Sequence, residues 1–434
     1  MKSQPNQLAQ KLEAELGVDA VKREPDVLSS AAIDGQQPRL ICSPGNAIQI
    51  CAALRLCAEA DAAVTPRSGG TAMAIGNLPR CVDVVIDLSR VHRLIEHDDA
   101  NLTATVEAGM NLNRLQQITA ERNQFLPFDP PHPLGASVGG TVAANLNGPR
   151  RSFYGNVRDL VIGMKVALAN GEQIKAGGKV VKNVAGYDMC KLFVGSFGTL
   201  GMITEVTVRM APLPETAATL VALGNLPQAL ELGRDLSRST LLPSAVAITD
   251  SPLSAAHLAP HDWQIAIRCE GFEETVARHL QDIQSMARRI GLRAEILKET
   301  SQQKLWQEVN DFSLPGDRLV YRVTVPRAAA ADIIKTVQGL TAKDSHSTIL
   351  CDPPMGVIWI AATASAAAAA WFRDLTSLAG RHRGHAVMFN APANLKQSID
   401  VWGPAPPAIS LMREIKRQFD PRGILNPGRF ISGL

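Results

Sequence analysis

Three glycine-rich loops constrain this chain more than any other feature, because each adjoins a short apolar segment. They read Pro-Arg-Ser-Gly-Gly-Thr at 66–71, Gly-Ala-Ser-Val-Gly-Gly-Thr at 135–141 and Gly-Ser-Phe-Gly-Thr-Leu-Gly at 195–201. Adjacent glycines let successive backbone N–H groups converge on an anion, and small residues let a backbone approach a flat ligand closely. Each loop alone is equally compatible with a plain tight turn. With its arginine, serine and threonine, the first loop favours a diphosphate.

Familiar nucleotide fingerprints are missing from the sequence. It contains neither G-x-G-x-x-G nor G-x-x-x-x-G-K-[ST], so a Rossmann site and a P-loop have no support. Residues Gly135-x-Ser137-x-Gly139 do match the nucleophile elbow of serine hydrolases. That elbow requires a strand immediately before the serine, whereas the proline-rich run at 127–133 is incompatible with an interior strand. Hydrolysis is therefore disfavoured.

Apolar periodicity in the first half predicts short strands alternating with helices. A helix is expected at 46–60 with Ile48, Ala52 and Leu56 on its buried face, and Asn170-Gly171 predicts a hairpin turn. The other elements expected here are strands at 63–66, 82–88, 103–106 and 202–210, hairpin strands at 164–168 and 172–175, and a helix at 112–122.

After Pro212 and Pro214 the order of the expected strands and helices changes. This order predicts an antiparallel sheet covered by helices on one face. The expected strands are 219–223, 244–249, 263–269, 293–297, 319–325, a hairpin at 347–362, and 385–390. The expected helices are 227–238, 273–290, 328–340, 365–380 and 407–419. We therefore predict domains at 1–211 (core 36–211) and 212–400, with a C-terminal segment, 401–434, that returns to the first domain.

Composition excludes several classes of protein. The 434 residues are 46% hydrophobic with a net charge of +3 spread along the chain, so no basic stripe predicts nucleic-acid binding. No segment approaches the ~20 apolar residues of a membrane span, and the polar start predicts no secretory signal. Seven cysteines at irregular spacing predict buried free thiols rather than disulfides or an iron–sulfur cluster. We expect no bound metal and a cytoplasmic location.

Taken together, these segments resemble the FAD-binding domain of the vanillyl-alcohol oxidase superfamily, also called the PCMH-type domain. The similarity covers roughly 36–211 and 405–434, and it implies an α+β fold with a two-lobed FAD domain and a ferredoxin-like cap. The segments that carry it are 64–71, 135–140, 154–159, 182–188, 192–205 and 423–428.

Within that superfamily, the chain is similar to the FAD-binding subunits of bacterial glycolate oxidase (glycolate dehydrogenase). The resemblance implies oxidation of glycolate, and of D-lactate, to the 2-oxo acid. It implies two partners, a larger FAD-containing catalytic subunit and an iron–sulfur subunit that passes electrons to a membrane acceptor. Through these partners the chain would lie peripherally on the inner face of the cell membrane. Two alternatives stay open: a stand-alone FAD dehydrogenase of another hydroxy acid or sugar acid, and a non-catalytic assembly subunit with a vestigial flavin site.

The resemblance also implies which residues hold FAD. The first loop would wrap the diphosphate, the second would line the phosphates and the flavin edge, the third would offer backbone contacts, and the C-terminal asparagine would reach back to the flavin. These residues are Arg67, Ser68, Gly69, Gly70, Thr71, Ser137, Gly139, Gly140, Thr141, Gly198, Gly201, Ile203 and Asn426.

Three departures from the family pattern qualify this assignment. Thr71 stands where relatives with covalent flavin have histidine, so non-covalent FAD is expected; Phe197 replaces a usual glutamate. The Gly-Asp-Gly-Asn-x-His stretch of related hydroxy-acid dehydrogenases is missing. The catalytic base is therefore unassigned. His385 with Arg383, and His132, could supply a base and a cation, but a solvated turn explains the former pair equally well.

Overall fold

The computed structural model describes residues 4–178, 188–251, 253, 263–314, 318–341, 347–365 and 367–434. Most of the segment at 182–188, part of the family resemblance, lies outside these residues. Within them, no helix is long and apolar enough to cross a membrane.

Eleven strands of the first half form two larger sheets and one small one. The first sheet has the order β1-β2-β4-β3, in which β2, β4 and β3 are parallel and β1 is antiparallel to β2. The second sheet is antiparallel in the order β5-β6-β10-β8-β9, and β7 pairs with β11. The strands are β1 (Val21–Lys22), β2 (Leu40–Cys42), β3 (Val64–Arg67), β4 (Val84–Asp87), β5 (Leu94–Asp98), β6 (Thr103–Glu107), β7 (Gln124–Phe125), β8 (Val161–Ala167), β9 (Gln173–Gly177), β10 (Met202–Arg209) and β11 (Ala211–Pro212).

Among the described residues, seven helices lie at the positions expected from the sequence, and eight others were not among the expected helices; the longest of these eight are the first and the eleventh. The helices are α1 (Gln4–Leu16), α2 (Pro25–Ser30), α3 (Ala47–Glu59), α4 (Leu112–Ala120), α5 (Val138–Ala144), α6 (Arg151–Tyr154), α7 (Val157–Leu160), α8 (Cys190–Phe193), α9 (Leu226–Arg238), α10 (Glu273–Arg289), α11 (Glu299–Asp311), α12 (Ala330–Thr341), α13 (Ala368–Arg381), α14 (Ala393–Lys396) and α15 (Ile409–Phe419). Short 3₁₀ turns span Val18–Ala20, Arg327–Ala329, Pro353–Met355 and Ile431–Gly433.

The buried face of α3 differs from the predicted one at Ile48. Ile48 is 79% exposed, while Ile50, Leu54 and Cys57 are fully buried. Ile50, Leu54 and Cys57 follow the i, i+4, i+7 spacing of one helix face, and this face packs in the same core as the apolar strands β2, β4 and β6. The helix is confirmed; of the predicted face, Ala52 is buried and Leu56 partly buried, and only Ile48 was wrong. Two apolar stripes compete on this alanine-rich helix, and packing against α1 and the sheets selects between them.

Two consecutive β-α-β-β-α-β units make one eight-stranded antiparallel sheet in the second half. The strands are β12 (Thr216–Gly224), β13 (Ala245–Thr249), β14 (Trp263–Gly271), β15 (Arg293–Lys298), β16 (Leu319–Thr324), β17 (Thr348–Asp352), β18 (Val357–Ala362) and β19 (His385–Asn390). Their order is β15-β12-β14-β13-β17-β18-β16-β19. Each set of four has the ferredoxin-like order, and the two sets join edge to edge through β13 and β17. The predicted α+β class with a ferredoxin-like cap is confirmed.

Helices cover both faces of this sheet, and not one face as predicted. Helices α9, α10, α12 and α13 pack on one face in a single apolar core. On the other face, α11 contributes Leu305, Trp306 and Val309 to a second core. Beside it, Val320, Ala361 and Phe389 of the sheet pack against Ile75 and Leu146 of the first half. This second face is the one that contacts the glycine loops. The division of the chain into domains at 211 and 400 stays a prediction.

The C-terminal segment returns to the first sheet. Val64 of β3 donates to the Ile424 carbonyl at 2.8 Å, and Asn426 donates to the Val64 carbonyl at 2.8 Å. Leu425 thus forms a parallel bridge with Val64, at the base of the first glycine loop. The proline- and glycine-containing segment at 420–428 therefore extends the sheet that carries this loop.

Candidate functional site

One cleft of about 880 Å³, including space open to solvent, collects the three glycine loops and the C-terminal segment. Every residue predicted to bind the cofactor lines it, from Arg67 to Asn426. Met73, Leu88, Ala108 and Leu146 supply an apolar part of the wall. The cleft thus combines main-chain amides and hydroxyls with apolar surface, as ligand sites for small molecules generally do.

The backbones of the first and second loops cross in close contact, which explains the glycines of the first loop. A Cβ on Gly69 would lie 2.0 Å from the Gly135 carbonyl oxygen, so no other residue fits there without moving the backbone. Gly70 has φ +74°, a conformation that side chains disfavour, and its Cβ would meet only the Arg67 side chain. Gly69 is therefore required by close approach, and Gly70 by backbone conformation.

Helix α5 begins at the second loop, and its polar residues are used within the protein. The Ser137 hydroxyl accepts from the Gly140 N–H at 3.2 Å and caps the helix. It also lies 3.5 Å from the Gly69 N–H. A Cβ on Gly139 would lie 2.5 Å from the Ala108 Cβ, so this glycine lets the helix sit against the second sheet. Ser137 is a buried helix cap without a preceding strand, which does not match a nucleophile elbow.

The third loop is held by the C-terminal segment. The Asn426 side-chain N–H₂ donates to the Phe197 carbonyl at 2.7 Å. The Phe197 ring packs edge-on against Trp402, with ring centroids 4.9 Å apart, and near Phe430 at 5.7 Å. Phe197 therefore joins the loop to the end of the cap and to the C-terminus. This apolar packing accounts for the ring at the position where relatives carry a carboxylate.

Several polar groups of the cleft have no partner among the described residues. The Ser68 hydroxyl and the Asn426 side-chain carbonyl are buried without a hydrogen bond. The backbone N–H groups of Gly70 and Thr71 donate to none of the described residues. Because a buried polar group without a partner is destabilising, these groups fit a polar ligand with acceptor and donor atoms. Arg67 adds a cation that lies 4.0 Å from the Asp87 carboxylate.

A buried cluster of charges, missed by the sequence reasoning, fixes the chain after the first loop. Asp34 accepts from Lys396 at 2.8 Å and from Arg429 at 3.0 Å. Arg429 also donates to the Met73 and Ile75 carbonyls at 2.6 Å, and Lys396 to the Ala74 carbonyl at 2.6 Å. Burial lowers the pKa of both cations, and the Asp34 carboxylate opposes that shift. No local pattern marks these residues, since they lie hundreds of positions apart.

A second lysine fixes the third loop. The Lys416 ammonium donates to the Thr199 carbonyl at 2.7 Å, to the Leu425 carbonyl at 2.9 Å and to the Asp420 carboxylate at 2.6 Å. Burial lowers the pKa of Lys416, while the Asp420 carboxylate acts in the opposite direction. In the sequence this pair is an ordinary i, i+4 pattern of helix α15. Only the fold places it between the third loop and the C-terminal turn.

A second cavity, the arginine cavity, lies between the segment 145–151, which follows helix α5, and the cap sheet. It measures about 540 Å³ with space open to solvent, and Leu146 lines both this cavity and the cleft. Its charged lining residues are Arg151, Arg322 and Asp352, with Asn310 and Trp359 beside them. Arg151 and Asp352 form an ion pair at 3.0 Å. Burial raises the pKa of Asp352 to about 6, and Arg151 opposes this shift.

The histidines singled out in the sequence line neither space. His385 is exposed at the start of β19, next to Arg383, which has φ +57° in the turn before the strand. Partial desolvation of the imidazole and the nearby positive charge of Arg322 lower the pKa of His385. His132 donates its backbone N–H to Asp311 at 2.6 Å, and its Nε2 lies 3.0 Å from the Leu314 carbonyl. His132 therefore joins the second loop to the end of α11.

Two family descriptions match the chain. Residues 38–177 match the family described as "FAD binding domain", and residues 401–430 match "FAD linked oxidases, C-terminal domain". Together these matches include the first two glycine loops and the C-terminal asparagine.

Relatives and solved structures agree with these matches. Glycolate oxidase subunit GlcE of Escherichia coli (strain K12) is 31% identical, covering 80% of this chain and 87% of that protein. Glycolate oxidase subunit GlcD of Bacillus subtilis (strain 168) is 29% identical, covering 91% and 89%. A structure of p-cresol methylhydroxylase with substrate bound superposes with a TM-score of 0.77 over 99% of this chain and 97% of that one, at 19% identity. The predicted PCMH-type fold is confirmed.

Proposed function

The chain belongs to the family of FAD-linked oxidases, and from this premise we propose that it is an FAD-binding subunit of a dehydrogenase that oxidises small 2-hydroxy acids. FAD is the cofactor of the family and of this chain. The proposed substrates are glycolate and D-lactate, each converted to its 2-oxo acid. Relatives named as subunits of glycolate oxidase support this substrate class and an assembly of several chains.

The cleft carries the proposal, because its unpartnered groups match what FAD presents. The unbonded amides of Gly70 and Thr71 and the cation of Arg67 would face the diphosphate. The free hydroxyl of Ser68 and the free carbonyl of Asn426 would bond the polar edges of the cofactor. When bound, the flavin supplies hydride-accepting chemistry, and the protein supplies binding and orientation. Without histidine at Thr71, we propose non-covalent binding.

The proposed partners are a larger FAD-containing catalytic subunit and an iron–sulfur subunit that carries electrons to a membrane acceptor. The support is the similarity to two differently named glycolate oxidase subunits. The proposed location is the cytoplasm, peripheral to the inner face of the cell membrane through these partners.

The absorbance spectrum of the purified chain tests the cofactor site. We expect a flavin band near ~450 nm with about one FAD per chain, released on denaturation because it is not covalently attached. A folded but colourless protein that takes up no added FAD would support the vestigial-site alternative.

Purification from the native host, with counting of flavin and iron in the isolated complex, tests the assembly. We expect two different FAD-containing chains and one iron–sulfur chain. A chain that purifies from the native host without partners, and that turns over glycolate with a dye acceptor, would instead support the stand-alone dehydrogenase.

A further inference from the structure

Arg322 is a partly buried cation that has no counterion among the described residues. It lies on β16 opposite Trp359 of β18, on the sheet face that contacts the first half of the molecule. The guanidinium carbon is 5.7 Å from the centre of the Trp359 ring and 5.3 Å from that of Phe389. Arg322 makes no hydrogen bond or ion pair with the described residues, and its buried Nε has no partner. Burial lowers the pKa of Arg322 to about 10, so it stays charged near pH 7.

The aromatic rings orient this guanidinium but do not neutralise it. A stacked arginine keeps its N–H groups free in the plane of the guanidinium, where they can form paired hydrogen bonds with a carboxylate. A cation held inside a protein without an anion is costly. The surroundings of Arg322 therefore call for a small anion in the cavity.

Asp352 offers a complementary group at the same cavity. Its Oδ2 accepts from Arg151 at 3.0 Å, and its Oδ1 is buried without a hydrogen-bond partner. Arg151 comes from α6 in the first half, whereas Asp352 ends β17 of the cap, so the ion pair closes the cavity across the two halves. One carboxylate oxygen is thus fixed, and the other is free to accept a proton or a hydrogen bond.

The arginine cavity adjoins the cleft. Leu146 lines both spaces, and the neighbouring prolines Pro130 and Pro131 line the cleft and the cavity respectively. Both lie beside the apolar contact between Leu146 and the sheet residues Val320, Ala361 and Phe389. A ligand in the cavity would therefore sit next to whatever fills the cleft.

We propose that the arginine cavity binds the 2-hydroxy acid, with Arg322 binding the carboxylate and Asp352 accepting the proton of the 2-hydroxyl group. This inference rests on the proposed function and assigns residues to it. A cavity lined by a free carboxylate oxygen and by an arginine without a partner among the described residues suits a molecule that carries one carboxylate and one hydroxyl group. Oxidation would break the O–H and C2–H bonds: Asp352 would accept the proton, and a bound oxidised flavin would supply the two-electron acceptor for the hydrogen of C2. The product is the 2-oxo acid.

The raised pKa of Asp352 agrees with this role. A general base is most effective when its pKa is close to the working pH. Related hydroxy-acid dehydrogenases carry a Gly-Asp-Gly-Asn-x-His stretch, which this sequence lacks. Asp352 would act here in place of the histidine of that stretch. Arg151 would hold Asp352 in position and limit the rise of its pKa.

Binding of oxamate tests the role of Arg322. Oxamate carries a carboxylate and an amide that can donate to Asp352, and it has no C2 hydrogen to transfer. We expect isothermal titration of the FAD-loaded chain to show one site, weakened roughly 10- to 100-fold by Arg322→Met and partly restored by Arg322→Lys. The matched control is Arg327→Met, which changes an exposed arginine of the same cap half. Equal oxamate affinity in the wild type and Arg322→Met would overturn the assignment.

Asp352→Asn tests the proton acceptor and also serves if Arg322→Met does not fold. This variant should retain FAD and oxamate binding, while flavin reduction by glycolate, followed in a stopped-flow spectrometer, falls roughly 10²–10⁴-fold. Unchanged reduction by Asp352→Asn would overturn the assignment and leave the proposed function intact. If the wild-type chain, alone and in its complex, binds oxamate but no 2-hydroxy acid reduces its flavin, the proposed function fails and the substrate assignment fails with it.

Discussion

The cleft and the arginine cavity adjoin each other, yet they are built in opposite ways. The cleft is lined by main-chain groups of the three glycine-rich loops. Most of the loop residues that line it are glycine, serine or threonine. The arginine cavity consists of long charged side chains from Arg151, Arg322 and Asp352, which lie on separate elements. A site built from main-chain groups needs glycines at adjacent positions, so it can be recognised from a local pattern in the sequence. A site built from side chains on separate elements has no such pattern.

The comparison also shows how each site responds to substitution. In the cleft, steric contact between backbones leaves no room for even a methyl group at Gly69. In the cavity, a side chain can be replaced without moving the backbone, so that binding or chemistry changes while the fold persists. Changes in the cleft should therefore remove the cofactor, and changes in the cavity should remove the reaction.

The largest effect is expected from Gly69→Ala. The added methyl would lie 2.0 Å from the Gly135 carbonyl oxygen, forcing the first two loops apart. We expect FAD affinity to fall at least about 100-fold, or ~2.7 kcal/mol, measured by equilibrium dialysis with flavin fluorescence.

Gly380→Ala is the matched control, because a Cβ there meets nothing within 4 Å and the residue lies in helix α13. It should keep full flavin and gain up to about 1 kcal/mol of stability. Wild-type FAD affinity in Gly69→Ala would mean that the loop crossing does not shape the cofactor site.

The largest effect on stability, rather than on FAD binding, is expected from Asp34→Ala, which tests whether side chains also support the cleft. The change leaves the buried cations Lys396 and Arg429 without a carboxylate. We expect the free energy of unfolding to fall by roughly 3–5 kcal/mol, measured by urea denaturation at pH 7.

Asp374→Ala changes an exposed aspartate of helix α13 and should stay within about 0.5 kcal/mol of the wild type. A similar small change in Asp34→Ala would show that the cleft needs no support from the charged cluster.

The third prediction concerns pH and the arginine cavity. Burial raises the pKa of Asp352 to about 6, and the groups that act on it are Arg151, the Met355 backbone N–H and Asp129. As a base, Asp352 must be deprotonated, so the rate of flavin reduction by glycolate should fall as the pH drops through about 6. The expected decrease is about tenfold per pH unit below that value. FAD retention over the same range should stay constant, and a rate that is flat between pH 5 and 8 would contradict the role of Asp352.

The smallest effect is expected from Ser137→Ala. Loss of the helix cap on α5 should lower stability by about 1 kcal/mol and weaken FAD binding modestly, because Gly69 and Gly140 lose an acceptor. Urea denaturation measures the first effect. Ser237→Ala, on the exposed side of α9, should have almost no effect. Unchanged stability and FAD affinity in Ser137→Ala would contradict the role of Ser137 as helix cap and acceptor.

Much of the secondary structure could be predicted from local sequence. The strand at 202–210 and the hairpin around Asn170-Gly171 follow from alternation and turn chemistry, and the structure has them at Met202–Arg209 and across β8 and β9. The exposure of Ile48 on α3 could not be predicted, because apolar residues lie all round the helix. Helix α11 was missed, since its apolar residues Leu305, Trp306 and Val309 are few and all lie in its C-terminal half.

The sequence by itself determined where backbone must come close to a ligand, because glycine is the residue that permits close approach and φ > 0. It therefore identified the three loops, the C-terminal turn and the family. Only the tertiary structure decided which distant charges meet: Asp34 with Lys396 and Arg429, and Arg151 with Asp352 at a cavity that Arg322 also lines. Whether a charged side chain is solvated or buried depends on the packing of elements far apart in the chain, and that packing has no local signature.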